Sequence, residues 1–182
     1  MRVLGVDPGN AVTGFGIVDR GGALTYVTAG TIRAGTLRGP VRLAAIYEKL
    51  ITIIDAHTPD AISLERSFVA VNIQSAFKLG EARAMVMLAA AHRGLELFEY
   101  TPNDVKLSIA GYGHADKRQV KEMVQRTIGS SVPADLAEDA TDALAISLCH
   151  LFRAKMPRPL PTVRKPLPRR PVRSVSSLGA KP

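Results

Sequence analysis

Residues Val3 to Asp19, VLGVDPGNAVTGFGIVD, read as two apolar strands joined through Pro8-Gly9-Asn10, with Asp7 ending the first. Pro and Gly punctuate an extended chain strongly. A carboxylate at the end of a buried strand must find a partner, or its pKa rises until it is neutral. The chain is therefore held to folds in which an interior strand delivers an acid to a sheet edge.

The pattern after this pair of strands is mixed. Residues 23–33, ALTYVTAGTIR, form a third, β-branched segment with loose alternation. The period then becomes helical, with Leu43, Ile46, Tyr47, Leu50, Ile53 and Ile54 on one stripe. DAISLE (60–65) suits a short buried strand parallel to the first, and LELFEY (95–100) a fifth strand. Between them a long helix is expected from about Asn72 to His92. Thr101-Pro102 opens a helix to Ile109, Asp116 caps one to Ile128, and a last helix is expected from Leu136 to Lys155. This order calls for an α/β fold, a mixed five-stranded sheet flanked by helices.

Charge is uneven. The net +8 comes mostly from residues 156–182, which hold seven basic side chains and no acid, so residues 1–155 are nearly neutral. A single domain over 1–155 and a basic, Pro-rich, disordered tail over 156–182 are expected. Nucleic-acid binding by the folded part must then come from local patches. No apolar run is long enough to span a membrane, and no secretory leader is expected. Cys149 is the single cysteine, which excludes an internal disulfide and suits a reducing cytoplasm.

The acids form a pattern. Glu65 ends AISLE as Asp7 ends the first strand, so parallel neighbours would bring both carboxylates to one edge, where α/β sheets collect ligands. In EDATDALAIS, Asp139 and Asp142 lie one helical turn apart on one face. Carboxylates gathered without cations repel one another, and divalent metal resolves the conflict. Hard oxygen ligands suit Mg²⁺ or Mn²⁺, and two ions about 4 Å apart suit phosphodiester hydrolysis. Each acid alone has a plainer reading. Asp7 would be a turn former, Glu65 a partner of Arg66, and Asp139 a charge favouring a helix N-terminus. Glu138 reads as a solvated helix-start charge.

GVDPGNAVTGFGIV, SLERSFVAVNIQSAFKLGEARA and EDATDALAIS together resemble the signature blocks of the RuvC family, Holliday junction resolvases of the RNase H-like superfamily. The likeness runs from residue 1 to about 153. It implies a homodimer that cuts four-way DNA junctions by paired symmetric nicks, with two Mg²⁺ ions per site (Mn²⁺ able to substitute), leaving 5′-phosphate and 3′-hydroxyl ends. It also implies catalytic and metal-binding roles for Asp7, Glu65, Asp139 and Asp142, and partnership with RuvA and RuvB. Some relatives carry His at the position of Asp139.

For DNA, the candidates are Phe68, Asn72, Lys78, Lys106, Lys117 and Arg118. Phe68 reads either as a loop anchor or as a stacking platform for an unpaired base, and the resemblance favours the second. Asn72 and Lys78 fall near the start of the long helix, and Lys106, Lys117 and Arg118 around GYGHADK. The stripe Ala76, Gly80, Ala84 allows close helix approach, within the monomer or across a dimer. Three other readings compete: a relative acting on RNA or other branched DNA, an actin-like ATPase domain, and a catalytically silent junction binder. The second needs a phosphate loop and a nucleotide subdomain for which 155 residues leave no room.

Overall fold

The computed structural model describes residues 1–9, 11–66, 73–129 and 131–153. Phe68, Asn72 and the segment 156–182 lie outside these residues. Five strands, β1 (Arg2–Pro8), β2 (Val12–Arg20), β3 (Leu24–Arg33), β4 (Ala61–Glu65) and β5 (Glu96–Tyr100), form one sheet in the order β3-β2-β1-β4-β5. β1 pairs antiparallel with β2 and parallel with β4, and β4 pairs parallel with β5. The sheet is mixed, as the β-strand and helix order requires.

Five helices cover it: α1 (Gly39–His57), α2 (Ile73–Arg93), α3 (Pro102–Ala110), α4 (Lys117–Ile128) and α5 (Glu138–Arg153). Their starts follow local chemistry. Thr101 and Asp116 each accept the N3 amide of their helix, and Asp104 and Gln119 return the bond to the cap amide. α5 begins at Glu138 rather than the expected Leu136, because a turn at Ala134–Asp135 and two irregular residues precede it.

Alternation along the strands divides the core. Leu4, Val6, Ile62, Leu64 and Leu97 face α1 and α2. Val3, Ala61, Phe98 and Tyr100 face the other side, with α3, α4 and α5. On this parity Gly5 and Asp7, with Ser63 and Glu65, belong to the α5 side. Apolar periodicity anticipates an α5 stripe of Leu144, Leu148 and Leu151. The helix is instead buried around nearly its whole circumference from Ala140 to Leu151, because α3 and α4 cover its outer face. Only Asp142 in that span is partly exposed.

Glycines on β1 and β2 let α5 lie against the sheet. A Cβ on Gly5 would stand 2.1 Å from the Ala143 carbonyl oxygen, and one on Gly14 would stand 1.9 Å from that of Asp139. Hydroxyls then clamp the contact: Ser147 donates to the Gly16 carbonyl at 2.7 Å, and Ser63 to that of Ile146 at 3.2 Å.

Candidate active site

Four carboxylates reach one end of the sheet by separate routes. The β1–β4 register runs to Val6 opposite Leu64, so Asp7 and Glu65 are the next residues on neighbouring parallel strands. Asp7 pairs with Gly14 across the antiparallel ladder, and the backbone of Asp139 sits against Gly14. One turn further along α5 comes Asp142. All four are partly buried.

Their mutual field is strong. Asp7 is pushed up to about 7, first by burial and then by Glu65, Asp142 and Asp139, with Lys117 opposing. Burial also raises Glu65, reinforced by Asp142 and countered by Lys117, Arg83 and Lys106. Asp142 is raised by burial, against the pull of Lys117. As the side chains stand, no three acid, histidine or cysteine groups among the described residues are arranged to hold a metal ion. The carboxylates share a field without closing into a coordination sphere. The donor set nonetheless fits a hard divalent cation: all oxygen, largely anionic, and with its central member raised to the edge of neutrality by burial and by the neighbouring acids.

Lys117 supplies the nearest cation. Its Nζ lies 2.6 Å from Glu138 and 3.7 Å from Asp142. The Glu138 bond raises the lysine and lowers the glutamate. Glu138 is thus exposed, as a helix-start charge should be, but it has a partner at the rim of the acid cluster.

A cavity of about 250 Å³ opens beside the acids, lined by Glu65 and Asp142, Lys106 and Lys117, and an apolar floor that includes Val105 and Ile146. Lys106 and Lys117 are therefore brought to the acids. Arg118, in the first turn of α4, is exposed and does not line the cavity. Lys78 lies on the exposed side of α2, in a different recess.

Arg83 is the site residue that residue-by-residue reading missed. From α2 it donates to the Glu65 carbonyl at 2.6 Å and ion-pairs with Glu99. Glu99 also takes Arg66 at 3.3 Å. Arg83 thereby pins the end of β4 where Glu65 projects. The only signal was its place in the KLGEARA block, because its partners are 16 and 18 residues away in sequence.

Comparison with known proteins identifies the family. A family model described as "Crossover junction endodeoxyribonuclease RuvC" matches residues 3–150. The chain belongs to the RuvC family. RuvC of Geobacter sulfurreducens is 43% identical over 90% of this chain and 100% of its own length. That of Chloroflexus aggregans is 45% identical over 85% and 94%. Among solved structures, T. thermophilus RuvC in complex with Holliday junction substrate aligns with a TM-score of 0.81 and 31% identity, over 88% of this chain and 99% of that one. The RuvC fold and the RNase H-like sheet are thus shared. No described helix is long and apolar enough to cross a membrane.

Proposed function

We propose that this protein is a structure-selective endonuclease that resolves four-way DNA junctions by paired, symmetric phosphodiester hydrolysis. The observation that carries this reading is the meeting of Asp7 and Glu65, on adjacent parallel strands, with Asp139 and Asp142 on the facing helix. Membership of the RuvC family and likeness to a resolvase bound to its junction support it.

In this reading Asp7, Glu65, Asp139 and Asp142 hold two Mg²⁺ ions, with Mn²⁺ able to substitute. When bound, the ions supply an activated water and positive charge toward the leaving 3′-oxygen, giving 5′-phosphate and 3′-hydroxyl ends. The protein's own part is positional. β1 and β4 hold Asp7 and Glu65 on a rigid sheet, and α5 sets the other two acids through its contact with Gly14. Lys106 and Lys117 hold backbone phosphate over the cavity, whose apolar floor keeps water from competing for those contacts. Phe68 and Asn72 are retained as DNA contacts, Phe68 by stacking on an unpaired base.

Symmetric nicks call for two active sites, hence a homodimer. The exposed face of α2 supports one. Ile73 is 76% and Phe77 70% exposed, and they share a stripe with Gly80 and Ala84, both exposed as well. A cytoplasmic location and a partnership with RuvA and RuvB belong to this reading, and membership of the RuvC family supports them.

The test compares a mobile four-way junction, plain duplex and an RNA–DNA hybrid, each with Mg²⁺ or Mn²⁺. The junction should be cut at symmetric positions and the others spared, with Asp7→Asn binding the junction but not cutting it. Equal cutting of duplex, or normal turnover by Asp7→Asn, overturns the reading.

A further inference from the structure

A second recess opens at the same end of the sheet but on its other face. It has a volume of about 370 Å³ and is lined by Ala11, Thr36, Arg38, Arg42, Lys78 and Glu81, among others. Ala11 follows the turn after Asp7, and Val12 pairs with Arg33 at the end of β3, so the recess and the acids flank the same β1–β2 turn. Its walls come from the start of α1, the residues after β3, and α2. The cavity with Lys106 and Lys117 is on the α5 side.

Three cations and one acid line this recess in a region of chain that is nearly neutral overall. Arg42 is buried and pairs with Glu81 at 3.2 Å, which fixes one wall. Arg38 and Lys78 are exposed and form no ion pair among the described residues. Arg38 is held by its backbone. It is the extended N-cap residue of α1, follows a turn closed by the Leu37 N–H on the Ala34 carbonyl at 3.1 Å, and makes no side-chain cap bond. Cations concentrated on both sides of a turn that carries a candidate catalytic acid suit a polyanion crossing that turn.

We infer that this recess is a second backbone-phosphate site, in which Arg38, Lys78 and the Arg42–Glu81 wall hold the DNA strand on the far side of the β1–β2 turn from the acids. The inference rests on the reading of the chain as a junction nuclease and assigns contacts that the acid cluster does not require. It commits to DNA phosphate, because a continuous backbone can engage this recess and the Lys106–Lys117 cavity together.

The experiment measures binding of a labelled four-way junction against salt concentration in EDTA, with Asp7→Asn protein as the parent. Arg38→Gln and Lys78→Gln should each reduce the slope of log affinity against log salt by about one, and the double variant by about two. Arg126→Gln removes an exposed cation on α4 that lines neither the recess nor the acid cavity, and serves as the control. All variants should melt with the parent. Slopes unchanged in the double variant, or reduced equally by Arg126→Gln, overturn the inference. So does thermal stabilisation of the parent by inorganic phosphate, lost in the double variant, while its DNA slope stays intact, since that marks a small-anion pocket. A parent that binds junction no better than duplex instead defeats the nuclease reading, so the two failures are separable.

Discussion

Gly14 and Asp139 are in backbone contact: the glycine's missing Cβ would fall 1.9 Å from the aspartate's carbonyl oxygen. Because Gly14 also pairs with Asp7, this contact sets one acid of the helix beside one acid of the sheet. Gly14→Ala forces α5 outward, and backbone on both sides leaves no side chain to yield. The variant should lose roughly 2–4 kcal/mol of stability, as overpacked cores do at their worst, and lose junction cutting even where it stays folded. Denaturant unfolding and a cleavage assay at a temperature where it remains native check this.

Asp7 predicts an inverted response to charge removal. Its folded pKa, about 7, stands above its unfolded value of 3.8. The proton-linked stability is full below 3.8 and is lost as pH rises through 7. In EDTA, Asp7→Asn should therefore gain stability over wild type as pH rises across that window, by roughly 4 kcal/mol. Added Mg²⁺ should reverse the order, stabilising wild type with the logarithm of ion concentration and leaving the variant unmoved. Melting curves with and without Mg²⁺ read both effects.

Arg83 should matter more than a surface arginine. Glu99 is largely buried and takes both Arg83 and Arg66, while Arg83 also holds the Glu65 carbonyl. Arg83→Met leaves a buried carboxylate short of charge and frees the end of β4, costing about 3 kcal/mol. A second change, Glu99→Gln in the same protein, should recover part of the stability but not the cutting rate, because the Glu65 carbonyl remains untethered.

Lys117 is shared between Glu138 and Asp142. Glu138→Gln releases it toward phosphate, and since exposed ion pairs are weak, junction affinity should rise only a few-fold. Lys117→Ala should weaken binding and flatten its salt dependence. Titrations of labelled junction in EDTA distinguish the two directions.

His150 carries an acid-sensitivity unrelated to the site. It is buried, its Nδ1 bonds the Tyr100 hydroxyl at 2.7 Å, and its Nε2 has no partner among the described residues. Burial lowers it to about 4, against an ordinary 6.5. The unfolded chain binds this proton first, so stability falls as pH drops from 6.5 toward 4, by roughly 3 kcal/mol. His150→Gln should be flatter than wild type across that interval in pH-dependent urea unfolding.

Much of this was legible in one dimension. The Pro8-Gly9 turn, the caps at Thr101 and Asp116, and the change of period after Arg33 are local signals, and each marked its element to within about two residues. Asp7 and Glu65 were visible because a charge ending an apolar strand is locally anomalous. Asp139 and Asp142 were visible because helical spacing sets residues three apart on one face. The full burial of α5 was not, since it depends on α3 and α4 returning over it.

What the sequence by itself determined, then, is the set of elements, the four acids and the family. Only the tertiary structure decided the rest: that Arg83 braces Glu65, that Lys117 divides between Glu138 and Asp142, and that Lys78 joins Arg38 and Arg42 instead of Lys106. The reason is range. Periodicity, caps and turns arise from neighbours within a few residues, whereas ion pairs and cavities form between side chains that the sheet order alone brings together.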